Sequence, residues 1–374
     1  MAKTPNPPKV TIDFESRSAC DIGLGAWLYS LHPTTEIMCL AYKIGDEPTK
    51  LWHPAYPHLG IEQSPDPVDL IQAIEDGWLI EAHNRFFEYC MWEHQLRKNW
   101  PQFPAIPEKN WRCSAAKAAY HSLPRALEGA VAALDLPISK DMEGSKVMKR
   151  LCKPKKLLKA DKKALIDQGW TPERIDAAIF WHESVEEFER LWAYCIVDVD
   201  AEHGFSEFLP DLPPEELRIW QMDQKMNLRG IRCDLDLVKA AIHLRDNEIM
   251  TLTAELQDIT DGAVEKGTSR AKFKDWMRVN GVDLPDTQGA TLDEYLPNLK
   301  GDLLMDFMRR RGLEPHTHRA LQIVREVNRS STAKFDAMLE RVDLRDWRLR
   351  DNLMYHGAGT GRWTGRAYLR CSGQ

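Results

Sequence analysis

Long apolar runs are missing from this chain. No stretch approaches the roughly 18 residues that a membrane helix needs. No secretory leader is expected, because Met1 to Pro8 is polar and proline-rich where a basic and then apolar layout would stand. An intracellular, cytoplasmic protein is therefore expected. Eight cysteines are scattered without a C-x-x-C pair, so neither a zinc site nor a disulfide framework is expected. Several of them fall in apolar runs and read as buried thiols. A basic excess is missing too: net charge is −7, and the whole-chain balance points to no polyanionic partner. No internal repeat or low-complexity tract is evident.

What is present is an ordinary globular balance, 43% hydrophobic and 29% charged over 374 residues, enough for two domains. Lys9 to Glu15 alternates as a strand, and Glu36 to Lys43, Lys50 to His53 and Trp78 to Ala82 read as further strands. Asp66 to Glu75 and Arg85 to Arg97 carry helical patterns. From Ser114 the chain is mostly helical, closing with a long helix over Glu183 to Phe208. Strands first and helices after predict a small mixed sheet covered by helices, an α/β fold. The prolines in Leu209 to Pro214 mark the best boundary, giving expected domains 1–210 and 211–374. Beyond it, helices are expected over Glu215 to Leu228, Leu235 to Leu256 and Thr317 to Val342, with a short extended piece at Gly230 to Cys233.

Charge distribution says more than net charge. Residues 146–163 hold nine Lys or Arg against Asp161 alone, and residues 341–370 hold seven Arg. Either cluster is a solvated face or a track for a phosphate backbone.

Three acidic groups carry the chemistry. Asp13 and Glu15 are two apart on a strand, so their side chains share a face. Adjacent carboxylates repel unless a cation lies between them. They serve either as a solvent-facing strand edge or as oxygen ligands of a divalent metal. Tyr194 and Asp198 are four apart on a helix with apolar neighbours, which places an acid where it needs a partner, a metal or an Arg. Asn84 stands where it can cap the helix that follows Trp78 to Ala82, with Glu88 one turn in. Phe86 and Phe87 supply a core anchor.

Together, Asp13-x-Glu15, Asn84-x-x-x-Glu88 and Tyr194-x-x-x-Asp198 resemble, in order and spacing, the proofreading 3′–5′ exonuclease domain of family A DNA polymerases, especially those of phages and prophages. The resemblance covers about residues 9–210 and includes Ser122-Leu123-Pro124, the Gly144 to Pro154 stretch and Trp192 to Asp200. Glu88 departs from the Asp of the broad family, although Glu is usual in the phage branch. The resemblance implies a ribonuclease-H-like fold. It also implies two Mg²⁺ ions (Mn²⁺ as a substitute), with Asp13, Glu15 and Asp198 as metal ligands. Glu88 would assist through water, Tyr194 would orient the attacking water, and Asn84 would contact DNA.

Ile219 to Asp234 is similar to the segment that opens the polymerase part of the same family, and the long helices after it resemble its thumb. By that likeness Ser330, Ser331, Thr332 and Lys334 would contact phosphates. Gly357-Ala358-Gly359-Thr360-Gly361-Arg362-Trp363 matches the family's T-G-R element, which implies that Arg362 contacts DNA. His316 and His318 read as exposed loop histidines. The family's palm and fingers motifs do not follow before Gln374, so a truncated polymerase without a polymerase site is expected. The implied reaction is release of nucleoside monophosphates from DNA 3′ ends, single-stranded or frayed, with replication proteins as possible associates. An RNA 3′-end-trimming exoribonuclease, a catalytically silent DNA-binding remnant and a structural role in a replication complex are the competing expectations.

Overall fold

Alternation in the first strand decides how the sheet is used. In a computed structural model describing residues 8–136, 141–329 and 332–366, β1 (Lys9–Arg17) occupies the middle of a five-stranded mixed sheet. Val10, Ile12 and Phe14 face one side and enter the main core. Thr11, Asp13 and Glu15 face the other. A short helix α1 (Ala26–Leu31) leads to β2 (Glu36–Ile44) and β3 (Lys50–Trp52), both antiparallel to their neighbours. Helix α2 (Val68–Glu75) precedes β4 (Leu79–Ala82), which runs parallel to β1. Helices α3 (Arg85–Met91) and α4 (Arg97–Asn99) are joined by a π-helical turn. Then β5 (Trp111–Cys113) pairs parallel to β4 and closes the order β3-β2-β1-β4-β5.

The main core is aromatic-rich. Trp52, Trp92 and Trp111 are fully buried there, and each such side chain contributes roughly 2–3 kcal/mol by leaving water. Helices α5 (Ser114–Tyr120), α6 (Leu127–Ala133), α7 (Met142–Leu151), α8 (Lys159–Asp167), α9 (Pro172–Ala177) and α10 (Val185–Phe208) follow β5 in the chain. Of these, α10 packs on β1 and β2, where Cys195 and Val199 meet Cys39 and Ala41. The Ser184 hydroxyl accepts from the Glu187 amide to cap α10, and Glu186 and Glu187 in its first turn suit the helix dipole.

Helix α11 (Pro214–Arg229) starts on the proline pair. At its end Gly230 takes φ 70°, and a Cβ there would lie 2.6 Å from the Leu349 carbonyl oxygen, so only glycine fits. The chain divides into two compact units. The first joins residues up to Ile231 with Arg348–Arg366, and the second begins at Arg232 and runs through Trp347. Strand pieces β6 (Ile231–Arg232) and β7 (Arg348–Leu349) lie at those junctions. Within the first unit, β8 (Leu353–Met354) and β9 (Thr364–Gly365) form a small hairpin held to α11. The Asn227 amide brackets Leu353, accepting from its N–H at 2.9 Å and donating to its carbonyl at 3.0 Å.

The second unit is helical: α12 (Leu235–Ile259), α13 (Arg270–Val279), α14 (Gly289–Tyr295), α15 (Gly301–Arg311), α16 (Pro315–Val327) and α17 (Ala333–Arg341), with Leu256, Phe273, Met277, Leu321 and Val324 in its own core. The single helix expected over Thr317 to Val342 is in fact two. Asn328 ends α16, its side-chain amide donating to the Val324 and Gly267 carbonyls, which satisfies the helix end and turns the chain. Ser330 and Ser331 lie outside the described residues. Among the described residues no helix is long and apolar enough to cross a membrane.

Candidate functional site

The three acidic motifs meet on the α10 face of the sheet. One oxygen each from Asp13, Glu15 and Asp198 lies within 4.8 Å of the others. Period-2 geometry brings the first two together on β1, and α10 delivers the third. The pairing register with β2 shifts between Glu15 and Ser16, a bulge-like irregularity at the second acid.

The donor set fits a divalent cation and fits poorly without one. Burial and the Asp198 charge push the Asp13 carboxyl up to about 7. Burial and then Asp13 hold Glu15 well above the usual carboxylate range. Glu88 on α3 is buried; burial first, then Asp13, raises it likewise. It accepts from the Phe14 backbone N–H, but its Oε2 is buried without a partner. An orphaned carboxylate oxygen beside three clustered acids is what an oxygen-seeking cation or its water would satisfy. Glu88 thus bonds to the backbone next to Asp13 but is not one of the three acids whose oxygens gather within 4.8 Å.

Tyr194 and Asp198 share a face of α10, as their spacing predicts, and the Tyr194 hydroxyl donates to the Asp198 carboxylate. The Tyr194 ring is wedged against Gly144 of α7, where a Cβ would lie 2.6 Å from the ring and from the Asp141 carboxylate. That close approach needs glycine. Asp141 caps α7 through the Gly144 amide and pairs with Arg190, clamping α7 to α10.

Asn84 departs from its expected capping role. It occupies the position before α3 but makes no side-chain cap; instead its backbone is left-handed, φ 64°, a conformation Asn tolerates better than most residues. Phe86 is the core anchor of its pair, and Phe87 is partly buried.

The sequence reading missed Glu202. It lies on α10 one turn beyond Asp198, 1% exposed, with its carboxyl 2.8 Å from the Ser114 hydroxyl. Burial, then Glu81, pushes its pKa well up, with a smaller push from Asp13, and Glu202 in turn raises Glu88. The signal was available: Tyr194, Asp198 and Glu202 repeat every fourth residue.

A cleft of about 840 Å³ opens beside the cluster, with Glu15 on its wall. Phe14, Tyr29 and Phe87 give it an apolar side; Lys149, Lys153, Lys155 and Lys156 give it a basic one. The basic stretch 146–163 is thus divided by the fold. Lys146 and Lys162 pair instead with Glu143 and Asp176 at 2.7 and 2.9 Å. The Ser18 amide donates to the Cys152 carbonyl, tying the end of β1 to the basic wall.

Arg362 is exposed in the glycine-rich loop between β8 and β9. A Cβ on Gly357 would strike the Thr364 hydroxyl at 2.0 Å, and Gly361 has φ 79°, so the loop's shape depends on both glycines. Lys334 is on α17 in the second unit. Of the two histidines expected in a loop, both are on α16, and His318 is 8% exposed, because Thr317 and His318 start the apolar face of that helix. Of the expected buried thiols, Cys39, Cys90, Cys195 and Cys233 are buried, while Cys20, Cys113 and Cys152 are partly exposed. Cys371 lies outside the described residues.

An acidic metal-type centre thus lies at the side of a mixed α/β sheet, next to a basic cleft, and comparison with known proteins finds the chain similar to a DNA polymerase. One relative is the DNA polymerase of Bacillus phage SP02, 29% identical over 364 residues, 96% of this chain and 50% of that protein. The chain thus spans about half the length of the relative it matches, and the resemblance to a phage DNA polymerase that the motifs led one to expect is borne out as similarity over 96% of the chain. No protein-family model matches the chain. Among solved structures, the polymerase domain of Pol1 from M. smegmatis, in complex with DNA primer-template and dNTP, aligns over 96% of this chain and 51% of its own, with 14% identity and a TM-score of 0.48. At that score the likeness defines neither fold nor activity.

Proposed function

We propose that the first unit contains a proofreading-type, metal-dependent 3′–5′ exonuclease of ribonuclease-H-like fold that removes nucleoside monophosphates from DNA 3′ ends inside the cell. In this reading residues 1–210 are the exonuclease domain and residues 211–374 begin a polymerase domain with thumb-like helices. The observation that carries it is the convergence of Asp13, Glu15 and Asp198, with Glu15 also on the wall of the basic cleft.

Each side chain has a part that its surroundings support. Asp13, Glu15 and Asp198 would hold Mg²⁺, or Mn²⁺ in its place, and Glu88 would reach a second ion through water. Such a pair, when bound, activates water and stabilises the leaving oxygen of an in-line displacement. Tyr194 fixes the Asp198 carboxylate and through it the attacking water. Lys149, Lys153 and Lys156 attract the phosphates of a strand entering the cleft, and Phe87, partly buried on its wall, offers a ring surface to its bases. Asn84, Arg362 and Lys334 are proposed as further DNA contacts.

The test is stepwise shortening of 5′-labelled single-stranded DNA in Mg²⁺ by the full chain and by Asp198→Ala, beside a matched RNA. Shortening from the 3′ end by the wild type alone supports the reading. No shortening of DNA, or equal shortening by the variant, sinks it. Preference for RNA would assign the site to RNA trimming.

A further inference from the structure

Asp13 stands at the centre of the acidic cluster, yet it has little to hold it. It sits mid-strand on β1, so no helix terminus or turn supplies amide donors to its carboxylate. Among the described residues its carboxylate receives one protein hydrogen bond, from Cys195. The Cys195 sulfur lies 3.5 Å from Asp13 Oδ2 and 3.6 Å from the Asp13 carbonyl oxygen. The thiol is fully buried among Cys39, Ala41 and Val199. In such surroundings it stays protonated and donates.

The arrangement has a simple helical logic. Tyr194 and Cys195 are consecutive on α10, about 100° apart around its axis. The first reaches Asp198 on its own helix and the second reaches Asp13 on the strand below. Neighbouring residues of one helical turn therefore address two carboxylates of the cluster.

Resting on the metal-dependent exonuclease reading, we propose that Cys195 is a positioning residue. Its S–H fixes the rotamer of Asp13 by engaging Oδ2, and leaves the other oxygen and the remaining lone pairs for a cation. A thiol suits this task because it is a weak donor. An ionic partner would neutralise the charge that the cation needs, and a strong hydrogen bond would draw on it. Partners that orient ligands in this way commonly change metal affinity by about 10–100-fold when removed, and a weak S–H donor belongs at the low end.

The test measures Mn²⁺ binding to the full chain by calorimetry, without DNA, for wild type, Cys195→Ala, Cys195→Ser and Val131→Ala. Val131 is buried in α6, away from the cluster, and controls for loss of packing. We expect Cys195→Ala to bind Mn²⁺ about tenfold more weakly, Cys195→Ser to recover part of that loss, and Val131→Ala to match wild type. Recovery is partial because the serine oxygen, on a shorter bond, stands further from Oδ2. Unchanged affinity in Cys195→Ala overturns the inference while leaving the exonuclease reading intact. So does a serine variant as weak as the alanine one, or an equal loss in Val131→Ala. Absence of Mn²⁺ binding by the wild type overturns both readings together.

Discussion

The Glu202 carboxyl and the Ser114 hydroxyl are 2.8 Å apart in the interior of the first unit, and the proton between them belongs to Glu202. The assignment follows from the chain of contacts. Ser114 Oγ is also 2.8 Å from His83 Nδ1, and His83 Nε2 is 2.8 Å from the Arg125 carbonyl. A carbonyl only accepts, so Nε2 carries hydrogen. Burial pushes His83 down to about 4, so the ring is neutral and Nδ1 accepts from Ser114. Ser114 is then left to accept from Glu202, which must be a carboxylic acid. Giving the serine proton to Glu202 instead would require a doubly protonated, buried imidazole.

Glu202→Gln is therefore expected to be nearly silent. Its amide nitrogen can donate to Ser114, and its oxygen can accept from the His83 backbone N–H as Glu202 does. Urea unfolding at pH 6 should show a change within about 1 kcal/mol, whereas Glu202→Ala should cost about 2–3 kcal/mol through the lost bonds and the cavity. An amide variant as unstable as the alanine one would show that Glu202 is ionised.

Without metal, the acidic cluster should make the protein less stable as pH rises. Asp13, at about 7, Glu15 and Glu88 all have folded-state pKa values above their ordinary ones. Between the unfolded values near 4 and the raised folded ones, the native state binds more protons than the unfolded state. Stability from this source is thus fully present below about pH 4 and is lost as pH climbs through the folded pKa values. His83 works the other way, since its lowered pKa favours the fold above about pH 6.5. Thermal unfolding in EDTA should show a falling midpoint from pH 6.5 to 8, the window in which His83 no longer contributes. Mg²⁺ or Mn²⁺ should raise the midpoint more at pH 8 than at pH 5.5, because the cation competes with protons for the same oxygens. A midpoint that rises with pH in EDTA would contradict the crowding of carboxylates.

What could be read from the sequence was what local periodicity encodes. Alternation from Val10 to Glu15 gave both the strand and the shared face of Asp13 and Glu15. The four-residue spacing of Tyr194 and Asp198 gave their shared helical face, and the proline pair gave the start of α11. What escaped depends on contacts between distant segments. Cys195 touches Asp13 from 182 positions away, and nothing local to either residue announces it. The division of the basic stretch, with Lys153 on the cleft and Lys162 paired to Asp176, depends on how α7, α8 and α9 fold back. Helix ends misled for a related reason: Asn328 is an ordinary helix residue in the pattern until its amide finds the Gly267 carbonyl.

Arg17 is expected to be a stability determinant two residues from the site. Its guanidinium, 5% exposed, pairs with Glu36 at 2.7 Å and Glu183 at 2.6 Å. It also lies 4.8 Å from the Trp181 ring and 5.7 Å from the Tyr56 ring. It thereby ties the end of β1 to the segment that starts α10. Glu36 is half exposed, which weakens that pair, so Arg17→Met should cost about 2–3 kcal/mol in urea unfolding, less than a wholly buried pair would. The variant should lose the proposed exonuclease activity roughly in step with its folded fraction. Wild-type stability in Arg17→Met would mean that the two ion pairs offset no more than their own desolvation.

The basic wall of the cleft makes a prediction that charge alone can test. If Lys153 and Lys156 neutralise phosphates of an entering strand, each contributes a released counterion. The slope of log affinity against log salt then falls by about 0.7 per contact on single strands. Anisotropy of a labelled single-stranded oligonucleotide, measured in EDTA so that nothing is degraded, should show Lys153→Ala with Lys156→Ala binding more weakly at low salt and with a slope shallower by about 1.4. Lys146→Ala with Lys162→Ala removes the same charge from side chains that already pair with Glu143 and Asp176. That second pair should leave the slope unchanged. An equal change from both pairs would mean that the strand senses only net charge, and that the cleft beside Glu15 is not its path.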